Sequence, residues 1–357
     1  MAGENAYLYK TTALIKVVDS LFRPQSFLLD MMFPNVDMQE TEEVAFDVEI
    51  GNRKIAPFVA PTSEGKIVQY EGYHTKTFKP AYIKPKTVLT PGKSLKRSMG
   101  ETIGMGSLSP AAREAANVTL ILKDHSDQLH RRMEVMASEA ARKSTVTVAG
   151  EAYPTTVVNF GRNANLTVDL AGGAIWGTAT ADPIADIKKM SERVHKLEGA
   201  SVTDVIMDPY AAEAFLDNEK VQKIMDNRRQ ATGTVEFTGA VDLASGAKLI
   251  AQFGDYRFWS YSEFYVDDSG TTRRILPPGT VIGTGPKVEG VRAFGAIMDS
   301  SVLRAMMLFP KSWIPEDPPY RIIMSQSAPL TVMTRPNATF CLNVFGDPDL
   351  IDESDYE

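Results

Sequence analysis

The longest hydrophobic repeat along the chain predicts one unusually long helix. Between residues 109 and 143 there is no glycine, and the single proline, Pro110, directly follows a good N-cap residue, Ser109. Apolar side chains recur there every three to four positions, at Val118, Leu122, Leu129, Met133, Met136 and Ala140. At 1.5 Å per residue, a helix over 110–143 is about 50 Å long. Such a rod indicates a structural backbone for a flat or elongated subunit.

Shorter segments predict a mixed α+β fold. A helix over 182–198 begins at Asp182-Pro183 and ends at Gly199, and helical segments follow at 210–216 and 218–229. Apolar or alternating runs between turn residues predict strands at 44–58, 66–70, 82–88, 145–148, 155–160, 166–170, 202–207, 248–253, 256–261, 263–266, 280–284, 291–298, 320–324, 330–333 and 339–344. The chain shows no repeat period and no βαβ alternation.

Three segments depart from this regular pattern. Residues 11–35 form an apolar arm, which we expect to pack on a neighbouring lobe or a neighbouring subunit. Residues 230–247 are rich in Gly, Thr and Ala and predict a mobile loop. Prolines between residues 57 and 91 exclude central strands, so residues 66–89 are predicted as an extended two-stranded excursion whose lysines protect its edges.

Charge is distributed unevenly along the chain. Residues 53–97 contain ten Lys or Arg and two Glu, although the whole protein has a net charge of −7. Residues 36–50 and 347–357 each contain six acidic residues and no Lys or Arg. Such asymmetry suits attraction between copies of one molecule, but on charge alone a solvated hairpin with disordered acidic ends is favoured. Nucleic acid is disfavoured as the main partner of the lysines, because the protein is acidic and offers few aromatic residues for stacking.

Residues that could carry chemistry are few. His125 and His130 are five positions apart on the predicted helix, so their side chains diverge by roughly 140° and cannot chelate one metal as an i, i+4 pair would. We expect His125, on the apolar stripe, to be a packed histidine. The glycines of 283–285 lack the spacing of a phosphate-binding loop and indicate a turn. Asp267 and Asp268 form a hairpin turn by composition rather than a cation site.

The single cysteine, Cys341, excludes an intrachain disulfide and any multi-thiolate metal site. It lies in an apolar run, which predicts a buried, inert thiol. No run of about eighteen apolar residues predicts a membrane span, and the first ten residues do not resemble a secretory signal. We therefore expect a protein made in a cytoplasm, with no catalytic residue, no metal and no cofactor.

Seven sequence motifs carry a family resemblance: FKPAYIKPK (78–86), TVAGEAYPTTVVNFGR (147–162), MDP (207–209), NRR (227–229), GVRAFGAIMD (290–299), FPKSW (309–313) and SAPL (327–330). In this order, they resemble the lambda-type major capsid (major head) protein family of tailed bacteriophages across nearly the whole chain. The Tyr-x-Lys-Pro-Lys pattern at 82–86 and the Arg-x-x-Gly-x-Ile-x-Asp pattern at 292–299 are specific in combination and weak singly.

The resemblance implies the fold of tailed-phage and herpesvirus capsids, which encapsulins also use. This fold has an N-terminal arm, an extended β-hairpin loop, a long spine helix in a peripheral domain and a mixed α/β axial domain. The implied segments are the arm at 1–45, the extended basic loop at 46–100, the peripheral domain at 101–169 and 301–335 with its spine helix at 110–143, the axial domain at 170–300 and 336–346, and an acidic C-terminal tail at 347–357.

The implied function is that of a non-catalytic major capsid protein. Such a protein assembles through pentamers and hexamers into an icosahedral head shell around double-stranded phage DNA. Candidate intersubunit residues in the basic loop are Lys66, Lys76, Lys79, Lys84, Lys86 and Lys93. Arg228 and Arg229 are candidates for the capsomer axis, and Lys311, Trp313 and Glu316 are candidates for threefold contacts.

Further partners also follow from the resemblance alone. They are further copies of the chain, a decoration or cement protein, a scaffolding protein, a portal and a maturation protease, with packaged DNA held without sequence-specific contacts and no membrane. The implied location is the virion shell, assembled in the host cytoplasm. Two alternatives stay open: an encapsulin-like nanocompartment shell with a cargo-docking groove, and a soluble oligomeric enzyme with a pocket of convergent polar groups.

Overall fold

The computed structural model describes residues 8–21, 26–48, 74–90, 109–150, 153–223, 246–299, 302–317 and 320–346, together with residues 55, 56, 58, 59, 61, 62, 64, 65 and 92. Its helices include α1 (Thr11–Ser20), α2 (Phe27–Met32), α3 (Pro110–Lys143), α4 (Pro183–Glu198) and α5 (Pro209–Asp217). The predicted bounds of the long helix are confirmed by α3. The Oγ of Ser109 accepts the backbone N–H of Ala112 at 3.2 Å, and the left-handed backbone of Ser144 ends the helix.

The strands, in chain order, are β1 (Asn35–Met38), β2 (Val44–Val48), β3 (His74–Phe78), β4 (Lys86–Leu89), β5 (Thr145–Gly150), β6 (Tyr153–Asn159), β7 (Thr167–Asp169), β8 (Asp204–Met207), β9 (Ala247–Phe253), β10 (Tyr256–Tyr261), β11 (Phe264–Val266), β12 (Thr272–Arg274), β13 (Thr280–Thr284), β14 (Val291–Phe294), β15 (Ala296–Asp299), β16 (Val302–Ala305), β17 (Phe309–Trp313), β18 (Arg321–Gln326), β19 (Pro329–Val332) and β20 (Phe340–Asn343). The α+β class predicted from the sequence is confirmed.

A six-stranded mixed sheet, in the order β7-β20-β13-β8-β10-β9, forms the centre of the main core. Strands β8 and β10 are parallel, as are β20 and β7, and the other pairs are antiparallel. Every residue of β8, β13 and β20 is buried, because their apolar runs lie between neighbours on both sides. Helices α4 and α5 pack on this sheet.

The other sheets are smaller, and β5, β18 and β19 from them pack on α3. These sheets are β1-β14-β19, β17-β18-β4, β2-β3, β5-β6, β11-β12 and β15-β16. Strand β4 lies at a sheet edge, as its neighbouring prolines predicted. The turn predicted at 267–270 joins β11 to β12.

Several predicted strands need correction. The strand predicted at 291–298 is two strands, β14 and β15, separated at Gly295, which lies close to Pro80. The strand predicted at 82–88 begins only at Lys86, and before it Ile83 makes an isolated bridge to Ser327. Strand β1 was not predicted, since its four exposed residues follow no apolar alternation. The predicted strand at 66–70 and most of the loop at 230–247 lie outside the described residues.

Two hydrophobic clusters meet along α3. The smaller contains Tyr9, Leu14, Leu89, Val118, Leu122 and Ile323, and the larger begins at Leu129 on the same helix and includes the central sheet. The N-terminal arm packs on its own chain: Leu14 is in the smaller cluster, and Phe27, Leu28 and Leu29 are in the larger. The domain limits stay predictions, and the limit at 300/301 falls between the paired strands β15 and β16.

Candidate assembly surfaces

The antiparallel pair β2–β3 joins the two charged segments, since β2 lies within the acidic segment 36–50 and β3 within the basic segment 53–97. Val44, Phe46 and Val48 point into the core from β2, while the alternate residues are exposed. Lys76 lies opposite Phe46 in the register. Residues directly opposite each other lie on the same face of the pair, so Lys76 extends from the face of Phe46, while Thr75 and Thr77 lie on the exposed face.

The lysines of this segment differ in whether their ammonium groups have a partner within the chain. Lys76 donates to the carbonyl oxygen of Asn159 at 2.8 Å, and Lys79 forms an ion pair with Glu42, which raises the pKa of its ammonium group. Lys84 lies 4.7 Å from the centre of the Tyr82 ring. Lys86 is exposed on β4 and has no ion-pair partner among the described residues. Lys84 and Lys86 are therefore the predicted lysines best placed to meet another molecule.

The loop between β2 and β3 also exposes large apolar side chains. Ile55 is 89% exposed, Phe58 is fully exposed at 103% and Val59 is 49% exposed. Among the described residues, Ile55 and Phe58 are the most exposed of the large hydrophobic side chains. Several large apolar side chains exposed on one loop make this loop a candidate contact for another molecule.

The other predicted site residues fall into two groups, those outside the described residues and those within them. Lys66, Lys93, Arg228 and Arg229 lie outside the described residues. Lys311 pairs with the buried carboxylate of Asp299 at 2.7 Å, so it ties β17 to β15 within the chain. Trp313 is half-buried and Glu316 is exposed. Of the three threefold candidates, Glu316 and the exposed part of Trp313 are therefore the ones left to contact another molecule.

A buried carboxylate fixes the N-terminal arm. Glu134 on α3 accepts the backbone N–H groups of Leu28 and Leu29 at 2.8 and 3.0 Å, and the hydroxyl of Tyr261 at 2.9 Å. Burial raises the pKa of this carboxyl, and its three hydrogen bonds oppose that effect. The side chain therefore joins the arm, the long helix and the central sheet at one point.

The other end of the arm has its own anchor. The ring of Tyr9 lies under the guanidinium of Arg321, 3.4 Å from its centre, and its hydroxyl donates to Glu114 on α3. Burial raises the pKa of Tyr9 well above its usual range, and the hydrogen bond to Glu114 acts in the same direction. The arm is thus held on the chain's own long helix at both ends.

Arg162 is a partly buried cation at the C-terminal end of α3. Its guanidinium donates to the backbone carbonyl oxygens of Ala141, at 2.7 Å, and Arg142, and to the Thr167 hydroxyl at 2.8 Å. Burial lowers the pKa of Arg162 to about 10, so the group stays charged at neutral pH. A positive charge there stabilises the negative end of the helix dipole.

The remaining buried titratable groups serve packing. His125 is buried between Thr87 and Ser325, 2.9 Å from each hydroxyl, as predicted for a packed histidine. Asp208 accepts the backbone N–H groups of Tyr210 and Ala211 at the start of α5, and burial raises its pKa to about 7. Cys341 is buried, as predicted, and burial raises the pKa of its thiol. These three buried groups lie apart from one another, and the contacts described for each are those of packing and helix capping.

In the described part of the chain, no three His, Cys, Asp or Glu side chains come together as a metal site would require. Among the described helices, none is both long and apolar enough to span a membrane.

Two features of this surface were missed from the sequence. Glu134 belongs to a row of buried polar residues four positions apart on α3, namely Ser126, His130, Glu134 and Ser138. That spacing was an available signal for a polar contact inside the core. The apolar residues of the loop were overlooked because the lysines around them dominated its composition.

Comparison with known proteins identifies the fold and the family. Residues 10–344 match the model of the family described as phage major capsid protein E. The chain is 27% identical to the major capsid protein of Escherichia phage lambda over 92% of its own length and 97% of that protein, and 28% identical to that of Enterobacteria phage phi80 over 93% and 97%. A prophage capsid protein from E. coli CFT073 has a similar structure, with a TM-score of 0.72 at 20% identity over 94% and 98% of the two chains.

The described elements agree with that likeness. The long helix, the N-terminal arm, the β2–β3 pair and the mixed sheet correspond to parts of the fold that the resemblance implied. The enzyme alternative is excluded by the family, whose members are structural proteins of the phage head. This chain therefore belongs to the phage major capsid protein family, whose members associate with copies of themselves to form the head shell.

Proposed function

We propose that this protein builds its shell from pentamers and hexamers in which the basic loop of each copy lies on acidic surface of the next. The distribution of charge carries this proposal. The basic segment 53–97 sits on an otherwise acidic chain, and Lys84 and Lys86 are exposed while Asp37, Glu40 and Glu43 are exposed on the acidic segment. Attraction between unlike patches on identical molecules produces head-to-tail contacts, which close into rings.

Other parts of the assembly belong to the same proposal. The acidic C-terminal tail, the axis candidates Arg228 and Arg229 and the threefold candidates Trp313 and Glu316 complete the contacts between copies. A scaffolding protein, a portal, a maturation protease and a decoration protein act with the shell, which encloses double-stranded DNA without reading its sequence. Assembly takes place in the host cytoplasm. Support for these partners comes from membership of the family.

The first experiment is negative-stain microscopy and light scattering of the protein produced together with the products of its neighbouring genes. We expect closed shells, or rings of five and six subunits. A discrete dimer or tetramer at every salt concentration would contradict the proposal. Shells that contain an enzyme and no DNA would instead support the encapsulin-like alternative.

The charge contact is tested by the double variant Lys84→Glu/Lys86→Glu. We expect the subunit to stay folded and shell yield to fall sharply, because reversed charges repel the acidic surface. The matched control, Lys84→Gln/Lys86→Gln, keeps similar side-chain lengths and removes only the charges, so it should assemble with intermediate yield. Lys79 is left unchanged, since its ion pair with Glu42 lies within the chain. Normal shells from the reversed variant would remove the basic loop from the assembly mechanism.

A further inference from the structure

An apolar groove lies where the N-terminal arm, the long helix and the segment after β16 meet. Its volume is about 420 Å³. Leu129 and Leu308 form a buried floor, and Val18, Met38 and Met307 form the walls. Methionine side chains are flexible, so such walls adapt to the shape of an inserted group.

The rim of the groove is charged and mainly acidic. Asp19 and Glu40 are exposed on it, with Arg304 as the single exposed cation among the described residues that line the groove. Glu40 belongs to the acidic segment 36–50, which contains no Lys or Arg. An apolar floor with an acidic rim fits a ligand that carries apolar side chains within a basic surrounding.

One described segment of the chain has this composition. Ile55, Phe58 and Val59 are exposed, and they belong to the segment with ten basic and two acidic residues. The groove of the same chain does not hold them, because Phe58 is fully exposed there. A second copy is therefore the occupant that supplies both the apolar side chains and the complementary charge.

We propose that Ile55, Phe58 and Val59 of one copy insert into the groove lined by Val18, Met38, Leu129 and Met307 of the neighbouring copy. This inference rests on the proposed function and deepens it, since it names the acceptor of the loop. Phe58 is the anchor, and the acidic rim selects the basic loop and holds its direction.

Site-directed cross-linking tests this contact. The wild-type sequence is a suitable starting point for introducing cysteines, because its one cysteine, Cys341, is buried and should not cross-link. In shells of Phe58→Cys/Met38→Cys, mild oxidation should give a ladder of cross-linked oligomers on a denaturing gel without reductant. Each single variant should give no ladder. Phe58→Cys/Val157→Cys, with its second cysteine at an exposed position on β6, is the matched control and should give none either.

The outcomes separate the contact from the function. Shells that show no ladder with the Met38 pair, or that cross-link only within single chains, would overturn the proposed contact and leave the shell function intact. Failure of the wild-type protein to form shells would instead overturn the proposed function. A ladder with the Val157 pair equal to that with the Met38 pair would also count against the groove.

A second variant pair tests Phe58 as the anchor without cysteines. Phe58→Leu keeps an apolar side chain and should assemble nearly as well as wild type, whereas Phe58→Ser should weaken each contact about tenfold. Equal assembly of Phe58→Ser and wild type would overturn the role of this residue. Circular dichroism of the unassembled subunits verifies that both variants are folded.

Discussion

The central sheet buries its apolar side chains within the subunit, whereas the basic loop leaves large apolar side chains exposed. In β8, β13 and β20 every residue is buried within one chain, whereas the loop leaves Ile55 and Phe58 exposed. The sheet is therefore complete in a single subunit, whereas the loop, in the contact proposed above, is covered only by another copy. If folding and assembly depend on different parts of the chain in this way, substitutions should separate them.

The largest expected effect comes from breaking the contact between arm, helix and sheet. Glu134→Ala leaves two backbone N–H groups and one hydroxyl without their acceptor, and should lower the free energy of unfolding by about 5 kcal/mol. Urea unfolding of the unassembled subunit measures this. Glu139→Ala on the same helix, whose carboxylate bonds Thr147 at the surface, is the control and should cost about 1 kcal/mol or less. Similar losses from both variants would show that the arm is not held by Glu134.

The next largest effect is a dependence of stability on pH, caused by Asp208, which directly follows β8 of the central sheet. The pKa of Asp208 is raised from its ordinary value of 3.8 to about 7, so the folded protein keeps a proton that the unfolded chain loses. Stability from this group is complete below pH 3.8 and is lost as the pH rises to about 7, a fall of up to about 4 kcal/mol.

The variant Asp208→Asn isolates this effect, because an amide does not titrate. Between pH 4 and pH 7, its free energy of unfolding should fall less than that of wild type. The same urea series at several pH values makes the measurement. Parallel curves for the two proteins would mean that Asp208 is ionised throughout this range.

A smaller effect is expected where α3 begins, directly after the undescribed residues 93–108. Ser109→Ala removes the N-cap hydrogen bond to Ala112 and should cost about 1 kcal/mol. Ser109→Asp, which retains an acceptor, should restore most of that loss. Thermal unfolding of the two variants gives the comparison, and equal melting temperatures would show that the cap contributes nothing.

The smallest effect on the isolated subunit should come from the loop. Phe58→Ser should change the free energy of unfolding by less than about 0.5 kcal/mol, because the side chain is already exposed. Phe46→Ser on β2, where the ring is buried, should cost about 4 kcal/mol. A large loss from Phe58→Ser would abolish the contrast between the two regions.

Much of the fold follows from local patterns. The bounds of α3, β10 and β13 were predicted because long periodic or apolar runs are bounded there by clear caps and turns. The division between β14 and β15 was not, because the backbone changes its partner strand there, from β19 to β16. Contacts between distant segments leave little trace in a single sequence.

The same limit applies to the assembly surface. Composition revealed the lysines, but not that Lys79 and Lys311 are paired within the chain with Glu42 and Asp299. Pairing depends on which strands become neighbours, and that is set by the fold. The role of Arg162 was hidden for a similar reason, since two of its partners are backbone carbonyls, which have no side-chain signature.

In mechanical terms, α3 is a rod that is packed into a different hydrophobic cluster at each of two positions along its length. Val118 and Leu122 embed one end in the smaller cluster, and the larger cluster grips the helix from Leu129 to Ala141. Force applied at one cluster therefore reaches the other as a bending load along a continuous rod of about 50 Å. We therefore expect the two clusters to move together rather than to rotate against each other, because one continuous helix passes through both.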